Sequence, residues 1–236
     1  MNVERLNVGY FTSAAGIWRR GDDMETQVRF PVPAYLISDD ERRILVDTGL
    51  NPDAVADPVA HYEDQALSIF KFEQAASIAD QVDLEALTGV ILTHLHFDHA
   101  GGLALIPDSV PVYLQRREWE ATQDKEAKER NFFHPRDYAP IDGRVTLVDG
   151  DHDLLGDGSV ELLATPGHTP GHQSVRVGDA LVIGGDVVHY ASGLDDHRFP
   201  LFADDHEAQA ASAERLKALR DQGLEVTPGH DPELLR

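Results

Sequence analysis

Cysteine is absent from this sequence. Its absence removes disulfides, Fe–S clusters, thiolate zinc fingers and cysteine nucleophiles together. Lysine is scarce as well: the basic side is 16 Arg and 4 Lys against 42 Asp and Glu, for a formal net charge of −22. A surface so acidic repels phosphate backbones, so no nucleic-acid partner is expected. No apolar run approaches the ~18 residues of a membrane span. The opening stretch, Met1 to Val8, lacks a basic segment leading into an apolar block. No export signal is expected there, and the expectation is a cytoplasmic protein. What remains is a chain of 236 residues, 42% of them hydrophobic, enough to bury a sizeable core. We expect a single domain over residues 1–236.

Short β-branched or apolar runs bounded by turn residues read as strands at 5–10, 32–37, 43–47, 89–93, 112–115, 145–148, 160–164, 174–177, 180–183 and 224–226. Helices are suggested at 62–79, 118–130 and 206–222. In the last, Ala210, Ala213, Leu216 and Leu219 recur at three- and four-residue steps, Asp204 or Asp205 offers a cap, and Gly223 a stop. Many strands with intermittent helices predict a layered α/β sandwich. The weakest order is expected at 17–24 and 137–143.

Histidine is abundant, with 12 residues. With cysteine missing, imidazole and carboxylate are the available transition-metal ligands. The segment Thr93-His94-Leu95-His96-Phe97-Asp98-His99-Ala100-Gly101-Gly102 follows an apolar strand. Residues two apart at a strand end point the same way, so His94 and His96 can share one ion. Asp98 and His99 come after the chain turns and can serve a second, and Gly101-Gly102 form a bend that a Cβ would obstruct. His168, Asp186 and His230 each stand just past another apolar strand and a small-residue turn. If those loops converge, seven donors suit two ions sharing a carboxylate. Asp47 is either a simple turn former or a carboxylate beneath the metals. His172 reads as an orienting neighbour of the ligands. His61, His134, His152, His197 and His206 read as surface residues.

In their order along the chain, Asp47, His94-x-His96-x-Asp98-His99, His168, Asp186 and His230 resemble the motifs of the metallo-β-lactamase superfamily. Within it they are most similar to the N-acyl homoserine lactonase group, through the strings 94–102 and Thr165-Pro-Gly-His-Thr-Pro-Gly-His-Gln-Ser174 and the ending Gly229-His230-Asp231. The resemblance covers Leu6 to Asp231. It implies a four-layer αββα sandwich with the metals at one edge. It implies His94, His96 and His168 on the first ion, Asp98, His99 and His230 on the second, and Asp186 between them. Zinc suits this set, and iron, cobalt or manganese also fit.

One departure stands out against the family pattern. Lactonases of this group place Tyr three residues after the bridging Asp, where its hydroxyl meets the substrate carbonyl. Here that place holds His189, with Tyr190 next, so either one is the expected carbonyl helper. The reaction the resemblance implies is opening of a lactone ring by a hydroxide held between the metals, with Asp98 passing a proton to the leaving alkoxide. Trp18, Met24 and Phe97, with Ile17, Phe70 and Phe72, are candidates for an acyl-chain groove. The competing readings are a small-lactone or 4-pyridoxolactonase-like hydrolase, a glyoxalase II-like thioesterase and an organophosphate or ester hydrolase. Flavin-coupled diiron relatives carry Glu at the place of His96. A non-catalytic scaffold would be expected to have lost ligands. Partners are thus expected to be small lactones or esters, with the protein a monomer or a homodimer.

Overall fold

The computed structural model describes residues 1–234; residues 235 and 236 of the expected domain lie outside it. In chain order the strands are β1 (Asn2–Ala14), β2 (Gln27–Ser38), β3 (Arg43–Val46), β4 (Lys71–Glu73), β5 (Gly89–Ile91), β6 (Val112–Gln115), β7 (Val145–Val148), β8 (His152–Asp153), β9 (Val160–Ala164), β10 (Gln173–Val177), β11 (Leu181–Ile183) and β12 (Glu225–Thr227). A seven-stranded sheet runs β4-β1-β2-β3-β5-β6-β7, and a five-stranded sheet runs β12-β11-β10-β9-β8. β3, β5, β6 and β7 pair in parallel, as do β11 and β12, while the remaining pairs are antiparallel.

The strands' two-residue period sorts their side chains into three separate cores. Tyr35, Ile37, Ile44, Val46 and Ile91 meet Leu162, Val175, Val177 and Ile183 between the sheets. Their neighbours Leu36, Leu45, Val90 and Leu92 face the other way, into a core with Leu50, Leu95, Leu103 and Ile141. Leu163 and Val182 point out of the second sheet onto Ala213 and Leu216. Three cores between successive layers make helix, sheet, sheet, helix. The helix His206–Asp221 covers the second sheet, and Asp205 caps it by accepting from the amides of Glu207 and Ala208 at 2.9 and 3.0 Å.

Three local expectations are corrected. The stretch 62–79 is not one helix: helix Pro58–Tyr62 ends at Glu63 with φ 57°, and β4 follows. There Phe72 is buried between the exposed Lys71 and half-buried Glu73, and the segment adds to the edge of β1 with Phe72 opposite Phe11. Pairing at a free edge has outweighed local helix preference. The stretch 118–130 divides into helices Arg116–Gln123 and Lys125–Arg130, because Asp124 is extended and its carboxylate accepts from Ala127 N at 2.8 Å. The segments 17–24 and 137–143 are tied down: Trp18 is buried 4.6 Å from the Phe11 ring, and Asp137 is buried in the short helix Pro135–Tyr138.

Candidate metal centre

Because β3 and β5 are parallel, Asp47 and the 94–99 loop leave the first sheet at one edge. The loops after β9, β11 and β12 arrive there from the second sheet. Gly101 and Gly102 allow the close packing this needs. Gly101 has an ordinary helical φ of −59°, so left-handed backbone is not the reason. A Cβ on Gly101 would stand 2.5 Å from Asn51 N, and one on Gly102 2.4 Å from Thr48 O.

All seven expected ligands converge, and all are buried. Donor atoms of His94, His96, His168 and Asp186 lie within 4.8 Å of one another, as do those of Asp98, His99 and His230. His94 Nε2 is 3.0 Å from His96 Nδ1, which is 3.1 Å from His168 Nε2. His99 Nε2 is 3.3 Å from His230 Nε2. Asp186 spans both groups, with Oδ2 3.4 Å from His168 Nε2 and 3.2 Å from His230 Nε2, and Oδ1 3.5 Å from His99 Nε2.

The outer ring nitrogens decide what the inner ones present. His96 Nε2 donates to Asn131 O at 2.9 Å, His230 Nδ1 to Pro31 O at 2.8 Å and His99 Nδ1 to Asp47 Oδ2 at 2.8 Å. Thr93 Oγ1 donates to Asp47 Oδ2 at 2.9 Å, which leaves it to accept from His94 Nδ1 at 3.0 Å. In its neutral form each of these rings, with its outer nitrogen donating, turns an unprotonated nitrogen inward. Lone pairs facing one another across about 3 Å repel unless a cation lies between them. Ligands about 2.0–2.1 Å from one tetrahedral zinc would be about 3.3 Å apart. Asp98 Oδ2 and Asp186 Oδ1 are buried with no hydrogen-bond partner, as acceptors reserved for a cation would be. The donor set fits divalent ions.

The electrostatics point the same way. Burial, with neighbouring imidazoles, holds His94 well below the usual histidine range, and burial takes His96 down to about 4. Burial also opposes charge on His99 and His230, but the carboxylates of Asp186 and Asp98 outweigh it and push both up. A field that favours a proton there favours a metal cation.

Asp47 accepts from Thr93 N, Thr93 Oγ1 and His99 Nδ1, so it lies beneath the cluster and is more than a turn former. His172 Nε2 accepts from Asp186 N at 3.0 Å, which places its proton on Nδ1, toward Thr165 O at 3.1 Å. Burial brings His172 down to about 3, in keeping with a neutral ring that orients the Asp186 turn.

His189 and Tyr190 diverge. His189 is 3% exposed, with Nε2 3.2 Å from Asp186 Oδ2. The Tyr190 ring lies against Phe30 at 6.1 Å and under the Arg19 guanidinium at 5.4 Å. His189 joins Asp186 and His230 in a further set of closely spaced donors, and no such set among the described residues includes Tyr190.

A cavity of about 400 Å³ opens beside the cluster, with His96 and Asp98 on its wall. Trp18, Phe97, Phe70 and Ile17 line it as expected, and Phe133, Phe202, Phe132 and Tyr62 add to it. Met24 does not line it. It is 53% exposed and folds over Gly16, a correction to its expected place in the groove. Phe72 lies one ring further back, stacked 5.1 Å from Phe97. Sequence reading missed Glu118, a fully buried acid whose oxygens accept from Leu95 N and Gly171 N. It also missed the carbonyls of Asn131 and Pro31. His134, expected at the surface, is half-buried at the cavity.

An αββα sandwich with buried, overlapping histidine–aspartate clusters at one sheet edge defines a class, the metal-dependent hydrolases of that fold. The family model described as the metallo-beta-lactamase superfamily matches residues 28–230, and the chain belongs to that superfamily. It is 32% identical over 219 residues to an N-acyl homoserine lactonase of Bacillus cereus, covering 87% of this chain and 83% of that protein. It is 26% identical over 218 residues to an N-acyl homoserine lactonase of Azorhizobium caulinodans, covering 86% and 82%. Among solved structures, an N-acyl homoserine lactone hydrolase with N-hexanoyl-L-homoserine bound at its catalytic metal centre superposes with a TM-score of 0.85. That likeness has 25% identity and covers 98% of this chain and 93% of the other. Among the described residues no helix is long and apolar enough to cross a membrane.

Proposed function

We propose that this chain is a single-domain lactonase that opens the ester ring of N-acyl homoserine lactones. The observation that carries the proposal is the meeting of five inward-facing imidazoles and two carboxylates at the wall of an apolar cavity. His94, His96 and His168 would hold one ion and Asp98, His99 and His230 the other, with Asp186 serving both. Bound there, two divalent ions supply hydroxide at neutral pH, by lowering a water pKa from ~15.7 to about 7, and a Lewis acid for the carbonyl. Zinc as the ion and a cytoplasmic setting belong to the same proposal.

The chain's own groups do the rest. Trp18, Phe97 and the neighbouring phenylalanines take the acyl chain and exclude water. His189, turned into the site, donates from Nε2 to the oxyanion as the carbonyl carbon becomes tetrahedral. Asp98, through the carboxylate oxygen that does not hold the ion, takes the proton released by the attacking water and passes it to the leaving alkoxide, which departs as the hydroxyl of the product acid. The net change is lactone plus water to hydroxy acid.

The test is a panel of N-acyl homoserine lactones, unsubstituted small lactones, thioesters and phosphotriesters, assayed after metal reconstitution alongside metal counting. Acyl homoserine lactones should give the highest kcat/KM, with two ions per chain. Faster turnover of thioesters or phosphotriesters than of every lactone would overturn the assignment.

A further inference from the structure

The part of Glu118 follows from where its helix begins. β6 pairs in parallel with β5, so helix Arg116–Gln123 starts at the sheet edge from which His94 leaves. Glu118 lies in the first turn of that helix and is 0% exposed. Its Oε1 accepts from Leu95 N at 3.0 Å, and its Oε2 accepts from Gly171 N at 2.8 Å. Leu95 is the residue between His94 and His96. Gly171 follows His168 in the loop from the other sheet. A Cβ on Gly171 would stand 2.2 Å from Glu118 N, so the loop rests directly on the helix. Further back, Gln173 N donates to Thr93 O at 2.9 Å and ties the bases of the same two loops.

We propose that Glu118 is a positioning residue, a carboxylate that clamps the Leu95 and Gly171 amides and so fixes His94, His96 and His168 relative to one another. The inference rests on the two-ion reading above. Its action is confined to one ion, because His99 and His230 are held from elsewhere, by Asp47 and by Pro31 O. Glutamine at position 118 keeps the volume but offers one acceptor oxygen in place of two. One buried amide then loses its partner, and the loop that carries it relaxes.

The experiment titrates metal-free wild type and Glu118→Gln with Co(II), read by calorimetry and by visible absorption. Wild type should take up two ions. In Glu118→Gln the affinity for one ion should fall about 10–100-fold while the other stays within about twofold. The absorption bands lost should be those lost in His96→Asn. Glu118→Asp, with both carboxyl oxygens on a shorter arm, gives a second reading and should weaken the same ion. Unchanged affinity for both ions, or an equal fall for both, in whichever variant folds overturns the clamp. A wild type that binds fewer than two ions overturns the two-ion reading instead.

Discussion

Asp47 Oδ2 stands 2.8 Å from His99 Nδ1, and the same carboxylate accepts from both the amide and the hydroxyl of Thr93. One acid thus orients His99 directly and His94 through Thr93. Asp47 itself has φ 60°, a left-handed conformation that Asn tolerates well. Asp47→Asn should therefore keep the turn while losing an acceptor. The expected outcome is metal affinity weakened by about 10–100-fold, measured by competition with a chromophoric chelator. Wild-type affinity in this variant would mean that Asp47 serves the turn alone.

His189 and Tyr190 are equal candidates in the sequence, and in the structure His189 faces Asp186 while the Tyr190 ring lies against Phe30 and Arg19. His189→Ala should lower kcat by at least roughly tenfold, about 1.4 kcal/mol of barrier, with metal content unchanged. Tyr190→Phe keeps the ring against Phe30 and should leave kcat within about twofold of wild type. Steady-state kinetics on one lactone with metal analysis separates the two. The reverse ranking would require Tyr190 to reach the substrate from outside the described site.

The ligand set was legible because its signal is local. His94 to His99 occupy consecutive positions after an apolar strand, and His168, Asp186 and His230 repeat that placement. The alternation in Ile44-Leu45-Val46 and Val90-Ile91-Leu92 likewise announces strands buried on both faces. What supports the ligands was not legible. Asn131 and Pro31 act through backbone carbonyls, which carry no residue-type signature. Glu118 reads as one more acid in an acidic helix until the fold brings two loops against it. β4 is three residues long, and only the free edge of β1 makes it a strand. Met24 and Trp18 sit on the same early loop with similar apolar character, and tertiary packing alone separates the buried one from the exposed one.

That separation has a kinetic consequence. Phe97 and Trp18 line the cavity and Met24 does not. Phe97→Ala and Trp18→Ala should raise KM for long-chain acyl homoserine lactones more than for short-chain ones. Met24→Ala should leave both unchanged. In wild type each added methylene, worth about 0.8 kcal/mol when buried, should improve kcat/KM about fourfold until the cavity is full. A chain-length series on the three variants tests this. Equal sensitivity of Met24→Ala and Phe97→Ala would place the acyl chain outside this cavity.

Asp137 gives a stability prediction that is independent of turnover. It is 1% exposed; Tyr62 donates its hydroxyl to Oδ1 at 2.9 Å, and Oδ2 has no partner. Burial raises its carboxyl from the ordinary 3.8 to about 8, against the pull of the Tyr62 hydrogen bond. The folded chain thus keeps this proton after the unfolded chain has released it. Its contribution is fully present below about pH 4 and is lost as pH rises toward about 8, with a slope of about 1.4 kcal/mol per pH unit. Asp137→Asn has no proton to release and escapes that loss. Urea unfolding of the two proteins should therefore show the variant gaining on wild type steadily from about pH 4 to about pH 8 and holding a constant lead above it. Titrating groups that do not interact with Asp137 are common to both proteins and cancel in the difference. A difference that stays flat across this range would mean that Asp137 ionises as it would in water and is not held neutral by its burial.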